Sequence, residues 1–395
     1  MISSDLTVGK WLWANLQCYN LWMKNKSSSI AAVKADLASA ATETPVTDVS
    51  ATDPVRRSRR SSGGFTLRDV AKLANVAPIT ASRALNTPDA VSPAILARVR
   101  EAVERTGYVP NLLAGGLASK KSRLVAAVVP TITGSVFLEM VQSLTKSLAD
   151  EGYQLMLGQA GYENSREDAL LEAIIGRRPD GVVLTGIMRS VLGRKRLLAS
   201  GIPVVETWDL TPTPIDMLVG FSHEKIGEAV AKYLHGRGRK RVATISANDE
   251  RAVRRNKAFS DAALTLGMGQ AGAKEVATCI VKAPTTLGSG RSGLRSLLEN
   301  DPAIDAIFCS SDMMALGVIT EAHAMGIAIP AQLAVVGLGD QEFSKDLNPP
   351  LTSVRIDGTA IGTQAARFII ERVDGKPVTD KVRDIGFSIV ERGST

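Results

Sequence analysis

TLRDVAKLANVAPITASRALN, residues 66–86, predicts two short helices joined by a tight turn. Thr66 stands three residues before Asp69, which is the spacing of a helix-capping box. Apolar residues then recur at helical spacing from Val70 onward. Pro78 suits the first position of a second helix, where no amide partner is needed. This helix–turn–helix arrangement is typical of domains that place the second helix in the DNA major groove.

The second helix carries polar groups that can reach base edges and phosphates. They are Thr80, Ser82, Arg83 and Asn86. A third helix is expected to begin with Ser92 as its cap and Pro93 at its first position, and to stop at Gly107. The alternative is a generic helical hairpin with no role in DNA binding.

Positive charge is concentrated in the same part of the chain. The 395 residues carry a formal net charge of +7, and Arg56 to Arg123 hold 13 Lys and Arg against 4 Asp and Glu. Residues 124–395 hold 30 against 31, so the remainder is near neutral. A localised basic segment indicates a polyanion partner. The alternative, a solvated and self-repelling tail, fits the arginines at 56–60.

Residues 124–390 alternate between short apolar runs and helical patterns. The apolar runs are Leu124–Val129, Gln154–Leu157, Gly181–Leu184, Pro203–Val205, Val242–Ile245, Ala306–Cys309 and Leu333–Val336. Helical patterns include Val136–Asp150, Lys225–Leu234 and Asp312–Met325. This alternation predicts two α/β lobes, each a doubly wound parallel sheet, with ligands bound beyond the carboxyl ends of the strands.

Composition and motifs argue against other classes. Three cysteines and three scattered histidines cannot form a disulfide framework or a zinc site. The sequence has no Walker-type phosphate loop, no Gly-x-Ser-x-Gly elbow and no histidine placed as a base, so we expect neither an enzyme nor a cofactor. The apolar run Trp11–Trp22 is too short to cross a bilayer, and a cytoplasmic protein without membrane contact is expected.

From Phe65 onward the chain resembles the LacI/GalR family of bacterial transcription regulators. The motifs that carry the resemblance are TLRDVAKLANVAPITASRALN, VSPAILARVREAVERTGYVPNLLAGGLASKKS, DGVVLTG, GIPVVE, CSSDMMALGV and AVVGLGDQEF followed by PPLTSVRID. VVPTITGSVF, LMLGQAGY and VGFSHEKIGEAVAKYL are most similar to the gluconate-utilisation repressors of that family. The resemblance implies an all-α headpiece, a hinge, and two lobes like those of periplasmic sugar-binding proteins.

Family DNA contacts carry over to named positions. Pro78 and Ile79 match the main base-reading positions, although neither side chain can hydrogen-bond a base, so apolar readout is expected. Thr66 and Ser92 match helix starts that hold phosphate, whereas Ala77 replaces a usual Ser or Thr cap. The remaining matches are Thr80, Ser82, Arg83, Asn86, Asn111 and Leu117.

Residues 110–118, PNLLAGGLA, resemble the family hinge helix, in which Leu117 is the minor-groove wedge. Gly115 and Gly116 weaken a helix by roughly 1 kcal/mol each relative to alanine, which suits a segment that folds only on DNA. A plain glycine-rich linker is the alternative.

The resemblance also implies an effector site between the lobes, where sugars need an aromatic platform and convergent polar groups. The candidates are Phe137 for ring stacking, Arg255 for a carboxylate or hydroxyls, and Ser311, Asp312, Asp340 and Trp208 after strand ends. Glu206 and Asp209 are weaker candidates, and Arg254 is expected to be a surface charge. Phe137 could instead be core and Asp312 a helix cap, and Gly339 stands where many relatives have an acid.

We therefore predict four segments: an unstructured extension at 1–62, a DNA-binding domain at 63–110, a hinge at 111–122 and a two-lobe effector and dimerisation domain at 123–395. The predicted function is a homodimeric repressor of carbohydrate catabolism that binds a pseudo-palindromic operator and answers to gluconate or a related sugar acid. A neutral sugar, a phosphorylated sugar or a corepressor is the alternative effector. A solute-binding protein is a more remote alternative, because it predicts no basic helical headpiece.

Overall fold

The computed structural model describes residues 65–109, 121–132, 135–161, 164–270 and 272–395. The predicted extension at 1–62 and nearly all of the predicted hinge lie outside these residues. The chain divides into two compact units, with the boundary between Tyr108 and Val109. In the described ranges, no helix combines the length and apolar character that a membrane span requires.

The first unit, the headpiece, is a three-helix domain. Its helices are α1 (Leu67–Leu73), α2 (Pro78–Asn86) and α3 (Pro93–Thr106). Its core consists mainly of small side chains, which let the helices approach closely: Val70, Ala71, Ala74, Ala81, Ala84, Val99 and Ala102. Leu73 continues the apolar spacing that begins at Val70 but is 39% exposed, because it ends α1 at the turn.

Local signals set the headpiece boundaries. The Thr66 amide donates to Asp69 Oδ2 over 2.8 Å and the Asp69 amide donates to Thr66 Oγ1 over 3.4 Å, which completes the predicted capping box. Asn75 takes φ 51° in the turn between the first two helices, a conformation that asparagine tolerates better than most residues. Gly107 ends α3 with φ 62°.

The second unit, the body, contains two six-stranded sheets. Lobe 1 has the strand order β11-β5-β4-β3-β1-β2, and lobe 2 has the order β12-β10-β9-β8-β6-β7. The pairing is parallel except between β10 and β12. The strands are β1 (Leu124–Val129), β2 (Gln154–Gln159), β3 (Gly181–Thr185), β4 (Val204–Thr207), β5 (Met217–Gly220), β6 (Val242–Ala247), β7 (Ala277–Val281), β8 (Ala306–Cys309), β9 (Ala334–Leu338), β10 (Thr352–Arg355), β11 (Val382–Asp384) and β12 (Ser388–Val390).

Helices pack against both sheets. They are α4 (Leu138–Asp150), α5 (Asn164–Ile175), α6 (Val191–Ser200), α7 (His223–Gly236), α8 (Glu250–Thr265), α9 (Leu287–Asn300), α10 (Asp312–Ala324) and α11 (Gly358–Val373). Helix α11 belongs to lobe 1 because it packs on α4 and on strands β3 to β5. The predicted two-lobed α/β body and helical headpiece are therefore confirmed. All seven predicted strands are present, and five further strands, β5, β7, β10, β11 and β12, were not predicted.

The chain passes between the lobes three times. It leaves lobe 1 after β5, returns after β10 to form α11 and β11, and enters lobe 2 again for β12. The turns that follow β4, β6, β8 and β9 meet at the cleft between the lobes. This arrangement brings residues that are far apart in sequence to one cavity.

Candidate nucleic-acid interface and ligand cleft

One face of α2 is free of the headpiece core. Ala81 and Ala84 are buried against the other helices. The predicted DNA contacts on this helix lie on the remaining surface: Pro78, Ile79, Arg83 and Asn86 are exposed, and Thr80 and Ser82 are partly exposed. Ile79 is 65% exposed, which is unusual for a large apolar side chain and suits apolar contact with a partner. The exposed face therefore combines apolar, hydroxyl, amide and guanidinium groups, as base and phosphate contacts require.

The two predicted phosphate-binding helix starts differ. The hydroxyl of Thr66 donates to Asp69 Oδ2 over 2.7 Å, so both its amide and its hydroxyl are already engaged by the capping box. Ser92 is exposed and makes no side-chain cap hydrogen bond, which leaves its hydroxyl available. Ala77 occupies the N-cap of α2 without a side-chain bond. Asn111 and Leu117 lie outside the described residues.

Four of the six predicted effector contacts line one cavity in the cleft. Phe137, Trp208, Arg255 and Ser311 surround a space of about 100 Å³, which we call the inner chamber. Phe137 and Trp208 come from lobe 1, whereas Arg255 and Ser311 come from α8 and the start of α10 in lobe 2. A molecule in this chamber would contact both lobes.

An edge-to-face chain of rings forms the wall of the inner chamber. The ring centroids of Phe137 and Trp208 lie 5.0 Å apart, those of Trp208 and Phe221 5.8 Å apart, and those of Phe221 and His223 4.9 Å apart. Trp208 holds φ 65°, a costly conformation for a bulky residue. Its indole N–H donates to Met140 Sδ over 3.0 Å. Packing on several sides thus fixes the ring platform.

Arg255 is buried beside a neutral histidine. Its guanidinium, in a residue only 5% exposed, donates to His223 Nδ1 over 2.9 Å, while His223 Nε2 donates to the Trp208 carbonyl over 3.0 Å. Burial, with the neighbouring arginine charges, lowers the pKa of His223 to about 2. Burial also lowers the pKa of Arg255 to about 10, so it stays charged at neutral pH. Within the described ranges no carboxylate forms an ion pair with this guanidinium.

Sequence reasoning missed Arg251, which also lines the inner chamber. It lies one helical turn before Arg255 on α8, and its guanidinium carbon is 5.7 Å from the Phe137 ring centroid. The spacing of four residues along a helix was the signal that could have identified it. His223 was missed as well, although it opens α7 directly after Phe221 and Ser222.

An outer chamber of about 280 Å³ adjoins the inner chamber, and Asp249 and Arg251 line both. Its other charged or amide-bearing lining residues are Glu167, Arg189, Asp209, Asn248 and Glu250. Arg189 of lobe 1 and Glu250 of lobe 2 form an ion pair across the cleft at 2.6 Å. An ion pair therefore connects the two lobes at the outer chamber.

Two predicted effector contacts lie elsewhere. Asp312 is fully buried, and its carboxylate accepts hydrogen bonds from the Gln341 amide and from the hydroxyls of Ser344 and Ser353 over 2.6–2.9 Å. It is not the helix cap either, because Ser311 accepts from the Met314 amide over 3.3 Å. Asp340 pairs with Arg392 at 2.7 Å and lines a separate cavity. Neither carboxylate lines the inner or the outer chamber.

Of the two weaker candidates, Asp209 lines the outer chamber, whereas Glu206 has a structural role. Glu206 accepts from the amides of Met188 and Ile215, each over 2.8 Å, and thereby ties two loops to β4. Arg254 was expected to be a surface charge, but it is half-buried and bridges Asp209 and Glu224. Burial raises the pKa of Asp209, and the Arg254 charge opposes that shift.

The cleft offers cationic, hydroxyl and aromatic groups. Among the residues that the structure describes, no group of three or more His, Cys, Asp or Glu side chains is placed to hold a metal ion. The arrangement is suited to binding a small polar anion against aromatic rings.

Comparison with known proteins gives consistent results for both units. The profile described as bacterial regulatory proteins, lacI family, matches residues 66–111, and a periplasmic binding protein-like domain matches residues 231–395. The HTH-type transcriptional regulator GntR of Pseudomonas aeruginosa is 35% identical over 340 residues, which span 86% of this chain and 98% of that protein.

Solved structures agree. A LacI-family transcriptional regulator from Silicibacter pomeroyi superposes with a TM-score of 0.77 at 31% identity, covering 84% of this chain and 99% of that one. A complex of the transcriptional regulator CelR with cellobiose superposes with a TM-score of 0.61 at 28% identity, covering 84% of this chain and all of that one.

Proposed function

This chain belongs to the LacI family of bacterial DNA-binding transcription regulators, and from that premise we propose that it represses genes of carbohydrate catabolism and is released from its operator by gluconate or a related sugar acid. Two copies would bind a pseudo-palindromic operator, each with α2 in a major groove. The exposed face of α2, with Arg83 and Asn86 beside the apolar Ile79, supports this placement.

The observation that carries the sugar-acid assignment is the buried Arg255. The guanidinium is enclosed among aromatic rings with a neutral histidine as partner, and no carboxylate of the described residues forms an ion pair with it. The one carboxylate of the inner chamber, Asp249, already serves as the N-cap of α8. A ligand carboxylate would supply the missing charge through a bidentate hydrogen bond. Ligand hydroxyls would meet Ser311 and the polar residues of the outer chamber.

Ligand binding would be coupled to lobe closure. The Arg189–Glu250 pair and the contact of Arg251 with the Phe137 ring both cross the cleft. A ligand between the lobes therefore changes the relative stability of their open and closed arrangements. We propose that the arrangement favoured by the ligand separates the two hinge segments of the dimer and weakens operator binding.

The proposal is tested by calorimetry and thermal shift of the full chain with gluconate, 2-ketogluconate, idonate, 6-phosphogluconate and neutral sugars. A sugar acid at 100 times its Kd should stabilise the body by about 2.7 kcal/mol. The Arg255→Gln variant should lose this response and keep operator binding. Lys257→Ala, an exposed change on the same helix, is the matched control and should respond normally.

A neutral sugar is the second candidate, and the cellobiose complex of the related CelR favours it. Stabilisation by a neutral sugar with no response to any acid would support this candidate and refute the sugar-acid assignment. A normal acid response in Arg255→Gln would remove Arg255 from the site.

A further inference from the structure

The two chambers of the cleft differ in the charged groups that line them. The inner chamber is lined by the guanidiniums of Arg251 and Arg255 and by one carboxylate, Asp249. That carboxylate already accepts from the Ala252 amide as the N-cap of α8. Its nearest approach to Arg251 is 3.8 Å, which is a weak pairing. The inner chamber therefore has an excess of positive charge.

The outer chamber contains one carboxylate without an ion partner among the described residues. Its lining includes the four carboxylates Glu167, Asp209, Asp249 and Glu250 and the two cations Arg189 and Arg251. Glu250 is paired with Arg189, Asp209 with Arg254, and Asp249 weakly with Arg251. Glu167 makes no ion pair within the described ranges, and burial together with the nearby Asp168 raises its pKa. Carboxylates of this kind accept hydrogen bonds from hydroxyls and repel a second anion.

The volumes of the two chambers suit a ligand that contacts both. Small-molecule pockets generally begin at roughly 300 Å³. The inner chamber, at about 100 Å³, is well below that volume, and the outer one is about 280 Å³. The chambers adjoin at Asp249 and Arg251, which line both.

We propose that the ligand is an open-chain polyhydroxy monocarboxylate bound in a fixed direction, with its carboxylate between Arg251 and Arg255 and its hydroxylated chain in the outer chamber. This inference rests on the proposed sugar-acid response. It assigns a selective role to Glu167, whose charge excludes ligands that carry a second carboxylate at the far end. The direction follows from charge: the reverse orientation would place the ligand carboxylate beside the unpaired Glu167 and leave the buried Arg255 guanidinium without an ion partner.

The test compares D-gluconate with D-glucarate, which has the same six-carbon chain and a second terminal carboxylate. Titration calorimetry of the full chain should show gluconate binding at least tenfold tighter. Glu167→Gln keeps the hydrogen-bonding shape and removes the charge, so it should narrow the gluconate-to-glucarate ratio at least fivefold. Glu250→Gln removes a negative charge from the lobe 2 side of the same chamber, so it should also narrow the gluconate-to-glucarate affinity ratio. This second variant provides the test if Glu167→Gln does not fold.

Glu172→Gln is the matched control, because Glu172 lies on the same helix as Glu167 but outside the chamber and pairs with Arg196 at 3.0 Å. It should leave the ratio unchanged. Equal affinities for gluconate and glucarate would overturn the proposed orientation, and so would an affinity ratio that neither Glu167→Gln nor Glu250→Gln alters. Either result would leave the proposed sugar-acid response intact. Failure of every sugar acid to bind would overturn both.

Discussion

At the scale of single residues, His223 connects the two lobes through its ring nitrogens. Its Nε2 donates to Trp208 in lobe 1, and its Nδ1 accepts from Arg255 in lobe 2. Protonation of Nδ1 would remove an acceptor and place a second cation against the guanidinium. The histidine must therefore stay neutral for the pocket to keep its shape.

This neutrality has a measurable pH signature. The unfolded chain takes up a proton at His223 below pH 6.5, whereas the folded site, with a pKa of about 2, does not. The stability that depends on the neutral ring is thus complete above pH 6.5 and falls as the pH decreases, by about 2 kcal/mol between pH 6.5 and 5.

His223→Gln can make both hydrogen bonds without titrating. The urea midpoint of the body should therefore fall more steeply toward pH 5 in the unsubstituted protein than in the variant, and parallel curves would contradict the neutral assignment.

Sequence analysis located cleft residues where the strand end alone decides the position, and their role as effector contacts stays a prediction. Phe137, Trp208 and Ser311 follow strand ends and reach the cleft as expected. Asp312 follows the same strand as Ser311 but turns inward to three hydrogen bonds. A difference of one residue at a helix start reverses the direction of a side chain, and neither composition nor spacing fixes that direction.

At the scale of elements, the position of Arg255 depends on how closely α7 approaches α8. A Cβ at Gly227 would meet the backbone of Arg255 and would lie 2.7 Å from the Phe259 nitrogen. Only glycine permits this approach. The close contact between α7 and α8 therefore helps to fix the position of the Arg255 guanidinium, in addition to its hydrogen bond with His223.

Gly227→Ala should force the two helices apart. Overpacking of this kind costs about 1–3 kcal/mol, and the shift of α8 should also weaken effector binding. Gly236→Ala lies on the same helix with no atom within 4 Å of the added Cβ, so it should leave both quantities unchanged. Thermal melts and calorimetry of the two variants provide the check, and equal behaviour would show that the approach at Gly227 is not required.

Three of the five strands that escaped sequence analysis share a physical cause, whereas β5 and β10 lie inside their sheets. Strands β7, β11 and β12 lie at sheet edges, and their residues are mostly half-buried or exposed. An edge strand has fewer neighbours to exclude water, so it does not need a continuous apolar run. The central strands β1, β3, β4 and β8 are buried and were found from their apolar runs.

At the scale of the whole molecule, we propose that the headpiece binds operator DNA and the body binds the effector. The headpiece presents Arg83 on an exposed helix face, and the body encloses Arg255 in a cleft. The headpiece core is built from its own residues, from Leu67 to Tyr108. Changes in one unit should therefore alter one ligand's affinity without unfolding the other unit.

Arg83→Ala should weaken operator binding by about 1–3 kcal/mol and leave effector binding intact. Arg105→Ala, an exposed arginine on α3, is the matched control and should have a smaller effect. In the unsubstituted protein, the factor by which effector weakens operator binding must equal the factor by which operator weakens effector binding. Fluorescence anisotropy with operator DNA and calorimetry with effector measure both factors, and unequal factors would rule out a simple two-ligand coupling.

The three chain crossings have a consequence for synthesis of the protein on the ribosome. Lobe 1 contains β1 to β5 but also α11 and β11, which are translated after strands β6 to β10 of lobe 2. At roughly 5–20 residues per second, the headpiece can fold well before residue 384 has been made. Lobe 1 must wait with the open edge of β5 and the face that α11 covers still exposed. The nascent chain therefore carries a folded headpiece attached to an unfinished body until β11 has been translated.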